Sequence, residues 1–319
     1  MTGLEIARRY WETYGLPMLD RFPDLRDRLA AGLCGSGSEC FGYDDAVSRD
    51  HDFEPGFVLF LPPGGEVDRR TVFLLERAYD ALPKEFGGVK RDRMIPVGGR
   101  RRGVTDPGEF FRSRCGSPDG VLTARQWLTL PEQSLAEAVN GEIFYDPSGM
   151  VSGIRERLAY FPEDIRLKKL AGHLLLMHQS GLYNYPRILA HGETAAAQLA
   201  VQEFVNAAVG AVFLLNRRYR PFYKWTFRAL RELPDLGGLE DSFEYLLTTD
   251  NGTDTVPVKE AVMEDICALI LKRLPAGGGP AEVLPAEAGE KPDPESAAYA
   301  VNDLIADGEI RGLHILAGV

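Results

Sequence analysis

Apolar residues fall at two different spacings along the chain, and the spacing changes near its middle. In the first half, compact apolar runs at 29–34 and 57–61 predict two buried strands. Helical spacing predicts one or two short helices over 6–29 and a further helix over about 68–81. The stretch 83–120, rich in glycine and arginine, is predicted to be a long irregular insertion with one short strand.

In the second half the spacing is helical almost throughout, apart from a brief extended segment predicted at 143–145. Helices are predicted over 131–139, 165–180, 194–219 and 223–233. The segment 275–294 is low in aromatic residues and rich in Pro, Gly and Glu, which predicts a flexible linker. A detached helix is predicted after it, over 295–316.

These elements predict an α+β fold in which a small mixed β-sheet with helices on one face precedes an α-helical bundle. The chain has 319 residues, and at about 150 residues per domain this length suggests two domains. The predicted division is a sheet domain over 1–150, a helical domain over 151–274, and a linker with a terminal helix over 275–319.

The overall composition is that of an ordinary globular protein, with 45% apolar and 26% charged residues. A net charge of −11 argues against a protein that wraps nucleic acid, because such proteins cluster lysine and arginine to neutralise phosphates. The most apolar long segment, 195–215, is interrupted by Gln198, Gln202 and Glu203, so a buried helix is predicted and a membrane span is not. The four cysteines show no paired spacing, so a cytoplasmic location is expected.

One segment between the two predicted strands carries the candidate chemistry. Two carboxylates, Asp50 and Asp52, are separated by one residue, and side chains at i and i+2 of a strand point to the same side. Paired carboxylates suit Mg²⁺, and a two-metal site activates a hydroxyl while it stabilises a leaving pyrophosphate. Glycine and serine alternate earlier in the segment, where backbone N–H groups and hydroxyls can approach phosphate oxygens. We call these residues the Gly–Ser turn: Gly35, Ser36, Gly37 and Ser38.

The order of these residues is similar to a known sequence signature. Gly37-Ser38, Gly42 and the triplet Asp50-His51-Asp52 together resemble the signature of the polymerase-β-type nucleotidyltransferases. The longer run over 35–57, GSGSECFGYDDAVSRDHDFEPGF, is similar to a family of bacterial proteins of unknown function that are classed as nucleotidyltransferase-like. Three further segments resemble the same family, at 140–146, 160–162 and 219–225.

The resemblance implies a Mg²⁺-dependent transfer of a nucleoside monophosphate from a nucleoside triphosphate, expected to be ATP, to a hydroxyl on a small molecule or a protein. Asp50 and Asp52 would be the catalytic and metal-binding residues, with two metal ions expected. The Gly–Ser turn, Arg49 and Lys224 would bind the nucleotide. The helical domain would shape the acceptor pocket, as in the antibiotic nucleotidyltransferases. Neither nucleic acid nor a membrane is an expected partner.

Many active members of this superfamily carry a third carboxylate on a later strand. The resemblance places that strand over 121–128, which contains no acid, and leaves Asp119, Glu142 and Asp146 as alternatives. A missing general base would lower the rate by about 10²–10⁴-fold. A nucleotide-binding regulatory protein without turnover is therefore a second hypothesis, and a toxin- or antitoxin-like interaction protein is a third.

Two basic clusters have competing interpretations. Lys224 lies within the aromatic run Tyr219, Tyr223 and Trp225. These rings would form either an aromatic and cationic wall for a nucleotide, or part of the bundle packing with Lys224 at its surface. The three arginines at 100–102 are expected in a solvated loop, with closure over an anionic ligand as the alternative.

Overall fold

The structure is a computed structural model that describes residues 1–47, 53–91, 102–275 and 291–319. The chain divides into two compact units. Met1–Gln126 and Leu130–Ala159 form the first, and Trp127–Thr129 and Tyr160–Val319 form the second. A small mixed sheet and a large helical part make the fold α+β, which confirms the predicted fold class.

The first unit contains the sheet. Among the described residues, its strands are β1 (Ala30–Leu33), β2 (Val58–Phe60), β3 (Glu85–Phe86), β4 (Val89–Lys90), β5 (Gly103–Thr105) and β6 (Glu142–Tyr145). Its helices are α1 (Gly3–Tyr10), α2 (Leu16–Met18), α3 (Pro23–Arg26), α4 (Ser38–Phe41), α5 (Arg69–Asp80), α6 (Pro107–Cys115), α8 (Glu132–Val139) and α9 (Met150–Arg157), while α7 (Ala124–Thr129) contains the division between the units.

Strands β5, β2, β1 and β6 form one sheet in that order within the described ranges. β1 runs antiparallel to both β2 and β6, whereas β2 and β5 are parallel, so the sheet is mixed. Gly32 allows β6 to approach β1 closely, because a Cβ at this position would lie 2.5 Å from the carbonyl oxygen of Glu142. β1 therefore lies inside the sheet and delivers the Gly–Ser turn from its end.

The core beneath the sheet is aromatic, and it fixes the start of β2. Phe57 is fully buried, with ring centroids 5.0 Å from Trp11 and 4.9 Å from Tyr79. The Tyr79 hydroxyl accepts from the Phe57 N–H at 3.0 Å and donates to the Phe57 carbonyl oxygen at 2.7 Å. The Phe57 carbonyl oxygen also accepts from the Gly103 N–H of β5 at 3.0 Å, so α5 and β5 together anchor the chain where it enters β2.

Several predicted elements of the first unit are confirmed and two are wrong. β1, β2 and α5 lie where the apolar runs placed them, and Asp68 caps α5 by accepting from two backbone N–H groups. The insertion predicted over 83–120 instead contains the β3–β4 hairpin, β5 and α6. The strand placed over 121–128 is helix α7, because Thr123 and Gln126 form a reciprocal capping box that starts a helix there.

The second unit contains helices and, among the described residues, no strand. Its helices are α10 (Glu163–Met177), which continues as a π-helical segment (His178–Asn184), α11 (Tyr185–Ala190), α12 (Thr194–Leu215), α13 (Tyr223–Arg231), α14 (Glu240–Thr248), α15 (Val256–Arg273), α16 (Pro294–Asp303) and α17 (Gly308–Gly312). α12 packs against α10, α11, α14 and α15. In the described part of the chain it is the one helix long and apolar enough to cross a membrane, but 72% of its apolar window is buried inside the protein. That burial is typical of a core helix.

The C-terminal segment is not one detached helix, as predicted, but two helices that pack on α10. Lys168 is fully buried and donates from Nζ to Asn302 Oδ1 at 2.8 Å and to the Leu313 carbonyl oxygen at 2.7 Å. The Asp164 carboxylate accepts from the backbone N–H groups of positions 306 and 307 at 3.1 and 2.9 Å. Most of the predicted linker, 276–290, lies outside the described residues.

Candidate functional site

The Gly–Ser turn lies just after β1, and its backbone conformation requires glycine at two positions. Gly35 has a φ of +103° and Gly37 a φ of +129°, both in the region that favours glycine. A Cβ at Gly35 would also lie 2.6 Å from Arg114 Nη2. Ser36 is exposed, and Ser38 is the first residue of α4. The turn therefore presents a compact backbone at the end of an inner strand.

Asn140, at the end of α8, holds this turn from both sides. Its Oδ1 accepts from the Gly35 N–H and its Nδ2 donates to the Gly35 carbonyl oxygen, each at 2.8 Å. The next residue, Gly141, donates its N–H to the Cys40 carbonyl oxygen at 2.8 Å, and a Cβ there would overlap the backbone of Leu33. The Asn-Gly pair immediately before β6 is therefore hydrogen-bonded to the first residue of the turn and to α4, the helix that follows the turn.

A second side chain of α8 contacts the turn. The Ser36 hydroxyl donates to Glu137 Oε2 at 2.8 Å. Sequence reasoning did not assign Asn140 or Glu137 to the site. The one signal for Asn140 was its place in the 140–146 segment that carries the family resemblance, and no local pattern links it to a turn 105 positions earlier.

The predicted acid pair lies outside the described residues. Asp50, Asp52 and Arg49 fall within 48–52, and the described residues 53–57 after them are not in a strand. β2 begins only at Val58. The assignment of Asp50 and Asp52 as metal ligands, and of Arg49 as a phosphate ligand, stays a prediction.

Both described flanks of the acid pair meet the first residue of α1. Asp44 Oδ2 accepts from the Gly3 N–H at 3.0 Å. A Cβ at Gly3 would lie 3.0 Å from a ring carbon of Phe53 and 2.5 Å from Cβ of Glu39. Glu39 belongs to α4, the helix that the Gly–Ser turn opens. The described residues on both sides of 48–52 therefore lie near α4, the helix that the turn opens.

A buried ion pair lies beneath the same region. Glu39 and Arg102, only 5% and 8% exposed, are joined at 3.1 Å, and Arg102 Nη1 lies 4.0 Å from Glu54 Oε1. Arg102 was expected in a solvated loop, and for this residue the prediction is wrong. β5 begins at the next residue and runs parallel to β2, which carries Arg102 into the interior beside Glu54. Positions 100 and 101 lie outside the described residues.

The three candidates for a third carboxylate all have structural partners. Asp119 accepts from the Ser117 hydroxyl and the Val121 N–H, which lowers its pKa. Asp146 accepts from two backbone N–H groups at the start of α9. Glu142 forms an ion pair with Arg8, but it lies in β6 opposite Leu33, immediately before the turn. Of the three, Glu142 is therefore the one that the sheet places beside the Gly–Ser turn.

The described ranges contain no group of three or more His, Cys, Asp or Glu side chains arranged to hold a metal ion. Positions 48–52 are not covered by that finding. The Mg²⁺ site predicted at Asp50 and Asp52 therefore stays a prediction, whose support is the suitability of paired hard oxygen ligands for this ion.

In the second unit, the aromatic residues around Lys224 divide into a packed and an exposed group. Tyr219 packs with its ring centroid 4.9 Å from Phe161. Tyr223 is 79% exposed, with its ring 4.2 Å from that of Phe222. Lys224 is also exposed, and its Nζ lies 4.9 Å from the Trp225 ring. We call Phe222, Tyr223, Lys224 and Trp225 the aromatic ledge.

A family model described as a domain of unknown function (DUF4037) matches residues 127–226. No curated protein shows significant similarity to the chain. The matched segment contains Asn140 and the aromatic ledge but not the Gly–Ser turn or the acid pair. Over residues 127–226 the chain is therefore similar to a domain family whose description names no activity.

Proposed function

We propose that the protein is a Mg²⁺-dependent nucleotidyltransferase that moves a nucleoside monophosphate from a nucleoside triphosphate, expected to be ATP, to a hydroxyl on a small molecule or protein. The observation that carries the proposal is the Gly–Ser turn at the end of β1. Asn140 forms two hydrogen bonds with its first residue, and both described flanks of the acid pair meet Gly3, which contacts the helix that the turn opens. A fixed backbone is what phosphate binding by N–H groups requires.

In this proposal each part of the site has one task. The Gly–Ser turn and Arg49 hold the triphosphate, and Asp50 and Asp52 hold Mg²⁺. The bound ion would supply charge stabilisation for the attacking oxygen and for the leaving pyrophosphate. The acceptor oxygen forms a bond to the α-phosphorus, the bond from that phosphorus to the bridging oxygen breaks, and pyrophosphate leaves with the electron pair. The acceptor proton passes to a carboxylate, for which Glu142 is the best-placed described candidate.

The aromatic ledge of the second unit is proposed, by itself, as a binding surface for a base or a sugar. An exposed tyrosine ring can stack on a base or a sugar face, and a neighbouring ammonium group can pair with phosphate. Tyr223 and Lys224 have these properties, because both side chains are exposed.

The test is an activity assay with purified protein, each α-labelled nucleoside triphosphate, Mg²⁺ and cell extract as the source of acceptor. We expect label transfer and pyrophosphate release, and we expect both to disappear in Asp50→Ala and Asp52→Ala. Asp45→Ala is the matched control, an exposed acid nearby in the same segment, and it should retain activity. Equal activity in all three variants would reject the site.

The second hypothesis, nucleotide binding without turnover, is favoured by one observation. The segment expected to carry a third acid is the acid-free helix α7, and Asp119 and Asp146 are both engaged in local backbone hydrogen bonds. Saturable nucleotide binding with no pyrophosphate release from any nucleoside triphosphate would establish this hypothesis in place of the first.

A further inference from the structure

Two arginines lie next to the Gly–Ser turn without a counter-ion. Arg114, on α6, stacks its guanidinium 3.7 Å from the Phe110 ring centroid and donates from Nη1 to the Phe110 carbonyl oxygen at 2.9 Å. Arg155, on α9, donates from Nη2 to the Val139 carbonyl oxygen at 2.6 Å. Neither guanidinium forms an ion pair with a carboxylate in the described parts of the chain.

Each guanidinium also has unused hydrogen-bonding capacity. Arg114 Nε and Arg155 Nη1 are buried and have no hydrogen-bond partner. Arg114 Nη2 makes no hydrogen bond within the described ranges, and it occupies the space beside Gly35 that a Cβ would need. Burial lowers the pKa of both arginines. A half-buried cation with unmet donors is unfavourable until an anion supplies acceptors.

The neighbouring acidic groups do not supply that anion. Cys34 is near both arginines, but burial raises its pKa to about 11, so the thiol is neutral at pH 7. Glu137 lies near Arg114 and accepts from the Ser36 hydroxyl instead. The chain has 47 acidic and 36 basic residues, so carboxylates are abundant. Among the described residues no carboxylate forms an ion pair with Arg114 or Arg155, which indicates a site for an external anion.

We propose that Arg114 and Arg155 bind a polyphosphate that lies on the Gly–Ser turn, with Arg114 Nη2 donating to a terminal phosphate oxygen. Guanidinium groups suit phosphate because their planar donors match two oxygens at once. Gly35 has no Cβ, which allows Arg114 Nη2 to lie against the backbone of the turn. The identity of the ligand as a nucleoside triphosphate rests on the proposed function, whereas the anion site itself does not.

The experiment is isothermal titration of the full chain with inorganic tripolyphosphate, with and without Mg²⁺. Arg114→Gln should weaken binding by at least about 10-fold, as expected for the loss of a charged hydrogen bond. Arg155→Gln should weaken it as well. Arg112→Gln is the matched control, because Arg112 is exposed in the last turn of the same helix, and it should bind within about twofold of the wild type.

Two further measurements separate binding from folding. Arg114→Gln also loses the guanidinium contacts with Phe110, so the informative quantity is the rise in melting temperature that saturating tripolyphosphate causes. This rise should be smaller in Arg114→Gln than in the wild type and in Arg112→Gln, whereas loss of a purely structural arginine would lower the melting temperature equally with and without tripolyphosphate. Gly35→Ala keeps Arg114 but displaces its Nη2 from the turn, because the added Cβ would lie 2.6 Å from that atom. Circular dichroism is used to check that this variant is folded. It should lose tripolyphosphate binding in the same way.

The inference is overturned if the wild type shows no saturable binding at millimolar tripolyphosphate, or if Arg114→Gln and Gly35→Ala both bind as tightly as the wild type. Its failure differs from that of the proposed function. Arginine-dependent tripolyphosphate binding without transfer from any nucleoside triphosphate would support the anion site and reject the transferase. Transfer that Arg114→Gln leaves unchanged would reject the anion role alone.

Discussion

Replacing Asn140 by alanine is expected to loosen the Gly–Ser turn without disturbing the rest of the first unit. The substitution removes two hydrogen bonds of 2.8 Å and leaves the N–H and carbonyl groups of Gly35, a buried residue, without these partners. A typical hydrogen bond contributes about 1 kcal/mol net, so the loss is about 2 kcal/mol, larger if water does not reach Gly35. The free energy of local opening around the turn should fall by this amount.

Hydrogen exchange measured by mass spectrometry reports this quantity directly for peptides that cover positions 30–42. A loss of about 2 kcal/mol should accelerate exchange there by roughly 30-fold in Asn140→Ala. Gln133→Ala is the control, because Gln133 lies on the same helix and its side chain makes no hydrogen bond to the described residues. Exchange in Asn140→Ala within threefold of that control would refute the role assigned to Asn140.

Three other predictions concern buried polar groups. Arg102→Ala removes the buried ion pair with Glu39 and should destabilise the first unit by about 3–5 kcal/mol, measured as a lower thermal midpoint; Arg112→Ala, at an exposed position, should not. Lys168→Ala should release the C-terminal helices, so that limited proteolysis cuts the segment after 291 faster than in the wild type. Burial lowers the pKa of His173 to about 3, so its neutral form contributes stability that is complete above pH 6.5 and lost as the pH falls toward 3. The wild type should therefore lose more stability than His173→Gln between pH 6.5 and 4, and equal slopes would contradict this.

The parts of the fold that the sequence predicts are those in which local pattern and local chemistry agree. Dense apolar runs predict β1 and β2, and Asp68 in front of a helical pattern predicts the start of α5. Glycines at 35 and 37 predict a turn, because glycine tolerates positive φ angles, and both residues have positive φ in the structure. In each case the residues that decide the structure are neighbours in sequence.

The misses arise where distant contacts decide. Arg102 lies in an arginine-rich stretch that resembles a surface loop, and only the parallel pairing of β5 with β2 explains its burial. Asn140 has no local feature that distinguishes it from an ordinary helix end. Lys168 is satisfied partly by backbone carbonyl oxygens of the C-terminal segment, which no side-chain pattern reveals.

The pairing of β1 with β6 has a consequence for the timing of synthesis. The backbone groups of Gly35 form hydrogen bonds with Asn140, which is synthesised 105 residues later. At about 5–20 residues per second, this separation corresponds to on the order of 5–20 s of translation. During that interval the emerging N-terminal part lacks one edge of its central strand. A pause in elongation before position 140 should therefore leave nascent chains open to chaperones, whereas a pause after β6 has cleared the ribosome should not.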